Sequence, residues 1–98
     1  MSSEGRIPII VCVGESGRAV VYGWADSYPA VGDEVVLHDA RMVLRWDVHG
    51  LLGLAAEGPA GDTRITYSVA RTSAVAAQII EVSPEAATAI ASWPTWRG

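Results

Sequence analysis

The chain has no lysine, no phenylalanine and no asparagine, and a single cysteine, Cys12. One thiol excludes an internal disulfide framework and a zinc site built from several thiolates. No apolar run approaches the ~20 residues of a membrane-spanning helix. The opening "MSSEGR" lacks the basic stretch and long apolar core of a secretory signal. The expectation is a soluble protein of the cytoplasm, with no membrane partner. Charge is sparse at 18% of residues and the net charge is −4, the wrong sign for a protein that holds long nucleic acid. The absence of lysine leaves seven arginines as the fixed cations. A genome rich in G and C suffices to explain that bias. Its physical consequence stands regardless: every cation is a planar fork suited to carboxylate, phosphate and aromatic faces.

What is present is apolar. Half of the 98 residues are hydrophobic, which fits one folded domain over 1–98 and argues against disorder. A chain this short has little surface to bury alone, so self-association into a homo-oligomer is expected. "RIPIIVCV" (6–13) and "RAVVYGWA" (18–25) flank a "GESG" turn and read as a β-hairpin. "VVLHDARMVLRW" (35–46) reads as a long strand. Strict alternation places His38, Ala40, Met42, Leu44 and Trp46 on one face, and Val35, Leu37, Asp39, Arg41, Val43 and Arg45 on the other. "HGLLGLAAEGPAGD" (49–62) is too apolar for a solvated loop, and its glycines favour a short strand or packed loop over a helix. "TRITYSVA" (63–70) reads as a strand with Ile65, Tyr67 and Val69 inward. "SAVAAQIIEV" (73–82) is read as a strand despite its alanines. In "SPEAATAIASW" (83–93), Ser83 as cap, Pro84 at the first turn and Glu85 at the positive dipole end mark a helix, which Pro94 stops. The predicted fold is mainly β, α+β overall: a small curved antiparallel sheet or barrel of five to six strands with one C-terminal helix.

No catalytic constellation emerges, and the expectation is a protein that is not an enzyme and takes no cofactor or metal. Cys12 lies in an apolar strand and reads as packing. His38, Asp47 and His49 match no metal-ligand spacing. Neither a phosphate loop nor a nucleophile elbow occurs. The arginines are what remain. Arg41 and Arg45 share a strand face about 13 Å apart, the span of a nucleotide rather than of one phosphate. Arg64 opens the next strand and can join them. Trp46 and Tyr67 offer stacking faces, and Gly53 and Gly58 offer close backbone approach. The alternative is that these arginines neutralise Asp39, Asp47 or Glu57 on a solvated face, with the four tryptophans serving as core or interface anchors.

The segments "GRAVVYG", "DARMVLRW", "GLLGLAAEGP" and "TRIT" resemble a group of short phage-associated proteins. That group shares a turn glycine, a D-A-R strand ending in an aromatic, a G-L-A-x-x-G-P segment, an R-I strand and a C-terminal helix ending near a tryptophan. These features fall on Gly17, Asp39, Ala40, Arg41, Trp46, Gly53, Leu54, Ala55, Gly58, Pro59, Arg64, Ile65 and the 83–93 helix. At the level of architecture the chain is also similar to the phage anti-defence sponges, such as the Thoeris and CBASS inhibitors. These are small oligomeric β-rich proteins that sequester nucleotide second messengers with arginine and aromatic residues. The resemblance implies binding of a cyclic nucleotide or cyclic ADP-ribose type ligand by Arg41, Arg45, Trp46, Gly53, Gly58, Arg64 and Tyr67, without catalysis, in the host cytoplasm. The competing expectation is a phage protein-interaction module, either a virion accessory domain or an inhibitor of a host protein. It would use the "GLLGLAA" segment and the tryptophan-rich tail.

Overall fold

The computed structural model describes residues 5–14, 19–46 and 50–96. In chain order the elements are β1 (Ile7–Val13), β2 (Ala19–Ala25), β3 (Glu34–Arg45), α1 (Gly50–Glu57), β4 (Arg64–Ile65), β5 (Val69–Glu81) and α2 (Pro84–Ser92). The apolar β-branched run of β1 pairs antiparallel with β2, from Ile7 opposite Ala25 to Val13 opposite Ala19, so the expected hairpin forms. The sheet order is β2-β1-β5-β3-β4, and a further β2–β3 pairing closes four of these strands into a barrel. The fold is mainly β with two short helices, a small α+β domain.

Two apolar layers hold it together. Ile9, Val11, Val21, Ala25, Val35, Leu37, Ala40 and Ala76 fill the barrel. Ile10, Tyr22, Val43, Leu54, Ile65, Ile80 and Ile90 are among those packing between the barrel wall and the helices. β2 supplies both layers by strand alternation, Val21 and Ala25 to one and Val20 and Tyr22 to the other. Where β2 crosses β3, Gly23 leaves room for Leu37: a Cβ on Gly23 would lie 2.7 Å from the Leu37 Cβ.

Strict alternation fails in β3. Asp39 adopts a left-handed conformation, φ 52°, and the strand's pairing with β2 shifts there, since Trp24 opposes His38 while Tyr22 opposes Arg41. One extra residue in a strand reverses every side chain beyond it. Val35, Leu37 and Ala40 therefore share the barrel interior, whereas Val43 packs under the helices. Arg41 is not on the face of Val35 and Leu37, contrary to the alternating pattern.

Two further expectations are corrected. Residues 50–57 form a helix, not a strand or loop. Leucine and alanine favour helix strongly enough to carry Gly53, which costs only about 1 kcal/mol. The buried Leu54 and Ala55 contribute the packing. Gly58, at φ 98°, ends α1 by donating its N–H to the Leu54 carbonyl at 2.9 Å. Second, 63–70 is not one strand. The ladder to β3 breaks at 66–68, where the Thr66 hydroxyl replaces backbone by accepting the Met42 N–H at 3.0 Å. Ile65 is buried as expected, but Tyr67 and Val69 are exposed. The alanine-rich 73–82 segment is strand, as read, within the 13-residue β5. α2 carries the predicted cap, the Ser83 hydroxyl accepting the Ala86 N–H at 3.1 Å.

Candidate functional site

The seven residues singled out by sequence do not converge on one place. Arg41 is 4% exposed. Its Nε donates to the Thr66 carbonyl at 2.7 Å, and its Nη1 donates to the carbonyls of Ile90 at 2.6 Å and Trp93 at 2.8 Å. Longer contacts run from Nη1 to the Ala91 carbonyl at 3.5 Å and from Nη2 to the Thr95 hydroxyl at 3.4 Å. Ile90 lies in the last turn of α2, at the negative end of the helix dipole, and its carbonyl also accepts the Trp93 N–H at 3.2 Å. The guanidinium thus ties β3, the 66–68 break and the end of α2 into one cluster. Burial lowers its pKa from the ordinary arginine value, while the nearby Tyr22 opposes that shift. Its donors point into protein, so Arg41 departs from the outward placement expected of a ligand contact.

Gly53 and Gly58 belong to α1 and its C-terminal end. Gly53 lies within α1 and is half-buried. Gly58 is buried where α1 meets α2: a Cβ there would come within 3.2 Å of the Ala89 Cβ and 3.5 Å of the Ala86 Cα.

Arg45, Arg64 and Trp46 remain at the surface. Arg45 lies directly opposite Arg64 in the β3–β4 ladder. Like charges in that position repel. A carboxylate that the pattern did not single out sits between them: Asp62 lies 2.9 Å from Arg45 Nε and 3.5 Å from Arg64 Nε. The Arg64 guanidinium also sits 5.2 Å from the Trp96 ring centroid, a cation–π contact. Trp46, the residue after β3, and Trp96 are both exposed. The result is two guanidiniums sharing one carboxylate, with two indoles exposed. Asp62 was legible only as an acid two positions before Arg64; the role of Trp96 depends on its docking beside β4, where Thr95 bridges Ile65.

Tyr67 lies elsewhere. With Arg41, Val21, Ala40, Met42, Val69 and Thr72 it lines an open cleft of about 260 Å³, so the structure brings Tyr67 and Arg41 to one wall. Val69 and Tyr67 were expected inward, but both are exposed beyond the break at 66–68, as is Met42 across from it. At β1 and β2, the hydrogen bond from Arg6 Nε at 3.0 Å, with His38 Nε2 3.5 Å away, holds the exposed Asp26 carboxyl below its usual pKa. Cys12 is buried, and burial pushes its thiol pKa up. Asp47 and His49 lie outside the described residues, as does Gly17. Among the described residues no group of three or more His, Cys, Asp or Glu is arranged to hold a metal ion. No described helix is long and apolar enough to cross a membrane.

A small closed barrel with two helices and an arginine–tryptophan surface defines the class of molecule. Residues 7–93 match the family model described as "Domain of unknown function (DUF6948)", and the chain belongs to that family. No curated protein and no solved structure matches it.

Proposed function

We propose that this chain is a non-catalytic binding protein that captures a small anionic nucleotide on the Arg45–Arg64 face. In this reading it is a phage-type sponge for a cyclic nucleotide or cyclic ADP-ribose immune signal. The observation that carries the reading is the pairing of Arg45 with Arg64 directly across two strands, with one shared carboxylate. Such an arrangement works against stability, and local rules are broken most readily at functional sites. A phosphate displacing Asp62 would receive charge-assisted hydrogen bonds from both forks, and Trp46 and Trp96 supply stacking faces for a base. Arg41 and Gly58 serve the fold instead, through the end of α2 and the α1–α2 approach.

The test is isothermal titration with cyclic di-GMP, 3′,3′-cyclic GMP–AMP and cyclic ADP-ribose. Arg45→Ala and Arg64→Ala are each expected to weaken binding by about 10-fold or more while leaving the fold intact, on the scale of charged hydrogen bonds. The ligand should be recovered unchanged. No heat from any of the probes with wild type, or equal binding by the double variant, would overturn the assignment to this face.

A second reading is a protein-interaction module. It is favoured by the exposed apolar side chains Met42, Tyr67 and Val69 lining the cleft, and by the exposed Leu44 on β3 and Leu52 on α1, the latter 68% exposed. Tyr67→Ala would then abolish partner capture, whereas the arginine variants would not.

A further inference from the structure

β5 is longer than the strand it pairs with. β1 accompanies it only from Ile9 opposite Glu81 to Val13 opposite Ala76, while β3 pairs with Val69–Val75 from the other side. Among the described residues, nothing pairs with the second edge of that stretch. The direction of its backbone groups follows from Ala76, whose N–H donates to the Asp33 carbonyl and whose carbonyl accepts the Gly32 N–H. Backbone groups alternate sides along an antiparallel strand. Ala74 and Thr72 therefore turn theirs toward β3, and Val75, Ser73 and Arg71 turn theirs outward. The edge carries none of the usual protection: no proline, no lysine, and Arg71 as its one charge. Val69 and Val75 are 42% and 57% exposed.

Charge decides which occupant fits. Arg71, Ser73 and Val75 alternate onto one face. Glu34 directly opposes Val75 on β3 and shares that face. Arg71 and Glu34 are both exposed, and neither has an ion-pair partner among the described residues. An antiparallel two-fold pairing with Ser73 on the axis sets Arg71 opposite the partner's Val75. The partner's Glu34 then lies one strand further, about 10 Å away between Cα atoms by strand spacing, within joint reach of the two side chains. Symmetry makes this ion pair twice.

We infer that the Val69–Val75 edge of β5 is an interface for a second copy of this chain, joined by β5–β5 pairing and reciprocal Arg71–Glu34 ion pairs. This association is separate from ligand capture, because Glu34 and Arg45 are the opposite ends of β3. Each can fail without the other.

Sedimentation velocity tests it. Wild type should be a dimer. Arg71→Glu and Glu34→Arg should each raise the dimer dissociation constant by about 10-fold or more, and the double exchange should restore it. Ser73→Pro removes only an outward-facing N–H and should give a folded monomer, with folding checked by circular dichroism. A wild type that is monomeric at millimolar concentration would overturn the inference. So would a dimer that both single exchanges leave intact. If Ser73→Pro fails to fold, the charge exchange and its rescue decide the question alone.

Discussion

Arg41 is a charge solvated by protein. Its forked guanidinium reaches Thr66, Ile90 and Trp93 at once, a span that a lysine point charge does not reproduce. Arg41→Ala should lower unfolding free energy by about 2–4 kcal/mol, because the Thr66, Ile90 and Trp93 carbonyls all lose a charged donor. Arg41→Lys should recover only part of that loss. Urea unfolding measures both, and a wild-type midpoint for Arg41→Ala would contradict the clamp. Gly58 gives a second residue-level test by comparison with Gly32. Both have positive φ, at 98° and 96°, but a Cβ on Gly32 meets nothing within 4 Å. Gly32→Ala should cost about 1 kcal/mol, from backbone strain alone. Gly58→Ala should cost more, because Ala89 must also move. Equal losses would show that the α1–α2 approach is slack. The sequence pattern marked Arg41, Gly58 and Arg64 as unusual but could not assign their roles. Whether an arginine faces solvent or carbonyls depended on one left-handed residue, Asp39, whose conformation alternation does not reveal.

Among the elements, the β1–β2 hairpin and α2 were legible because their signals are local: alternation about a turn, and Ser83-Pro84-Glu85 before an apolar run. α1 and the split between β4 and β5 were not. Those depend on contacts distant in sequence, the docking of Leu54 and Ala55 in the shared core and the capture of Met42 by Thr66. α2 is held by two side chains besides Arg41. The Ser83 hydroxyl caps it and also donates to the Ala56 carbonyl of α1 at 2.8 Å. Ser83→Ala should therefore cost about 1–2 kcal/mol in thermal unfolding, at the upper end for a cap. The Tyr22 hydroxyl donates to the Ala87 carbonyl at 3.3 Å, and burial raises its pKa to about 12 from about 10. The folded state thus keeps the proton that the unfolded chain releases. This contribution is fully present below pH ~10, is lost as pH rises from there to ~12, and amounts to about 3 kcal/mol. Stability measured across that window should fall for wild type and much less for Tyr22→Phe. Parallel slopes would show that Tyr22 is not the titrating group.

At the scale of the whole molecule, a closed barrel with helices against its outer wall leaves few positions for recognition. Arg41 belongs to the scaffold, while Arg45 and Arg64 stand at the surface over Asp62, beside exposed indoles. The overall class was readable from composition and alternation, since short β-branched runs and one capped helix define a small β-rich domain. The division of labour among the arginines was not, because it arises only when β3, β4 and the tail after α2 meet. Exposed ion pairs contribute at most about 1 kcal/mol, so removing Arg45 and Arg64 together should hardly change stability. The most direct measurement is titration of cyclic dinucleotides and cyclic ADP-ribose into wild type and the Arg45→Ala/Arg64→Ala double variant, with both melting temperatures recorded. Wild type should bind at least one probe saturably, the variant should lose that binding, and the two should melt within a few degrees of each other. Undiminished binding by the variant, or its collapse in stability, would contradict the claim that these two arginines serve a ligand rather than the fold.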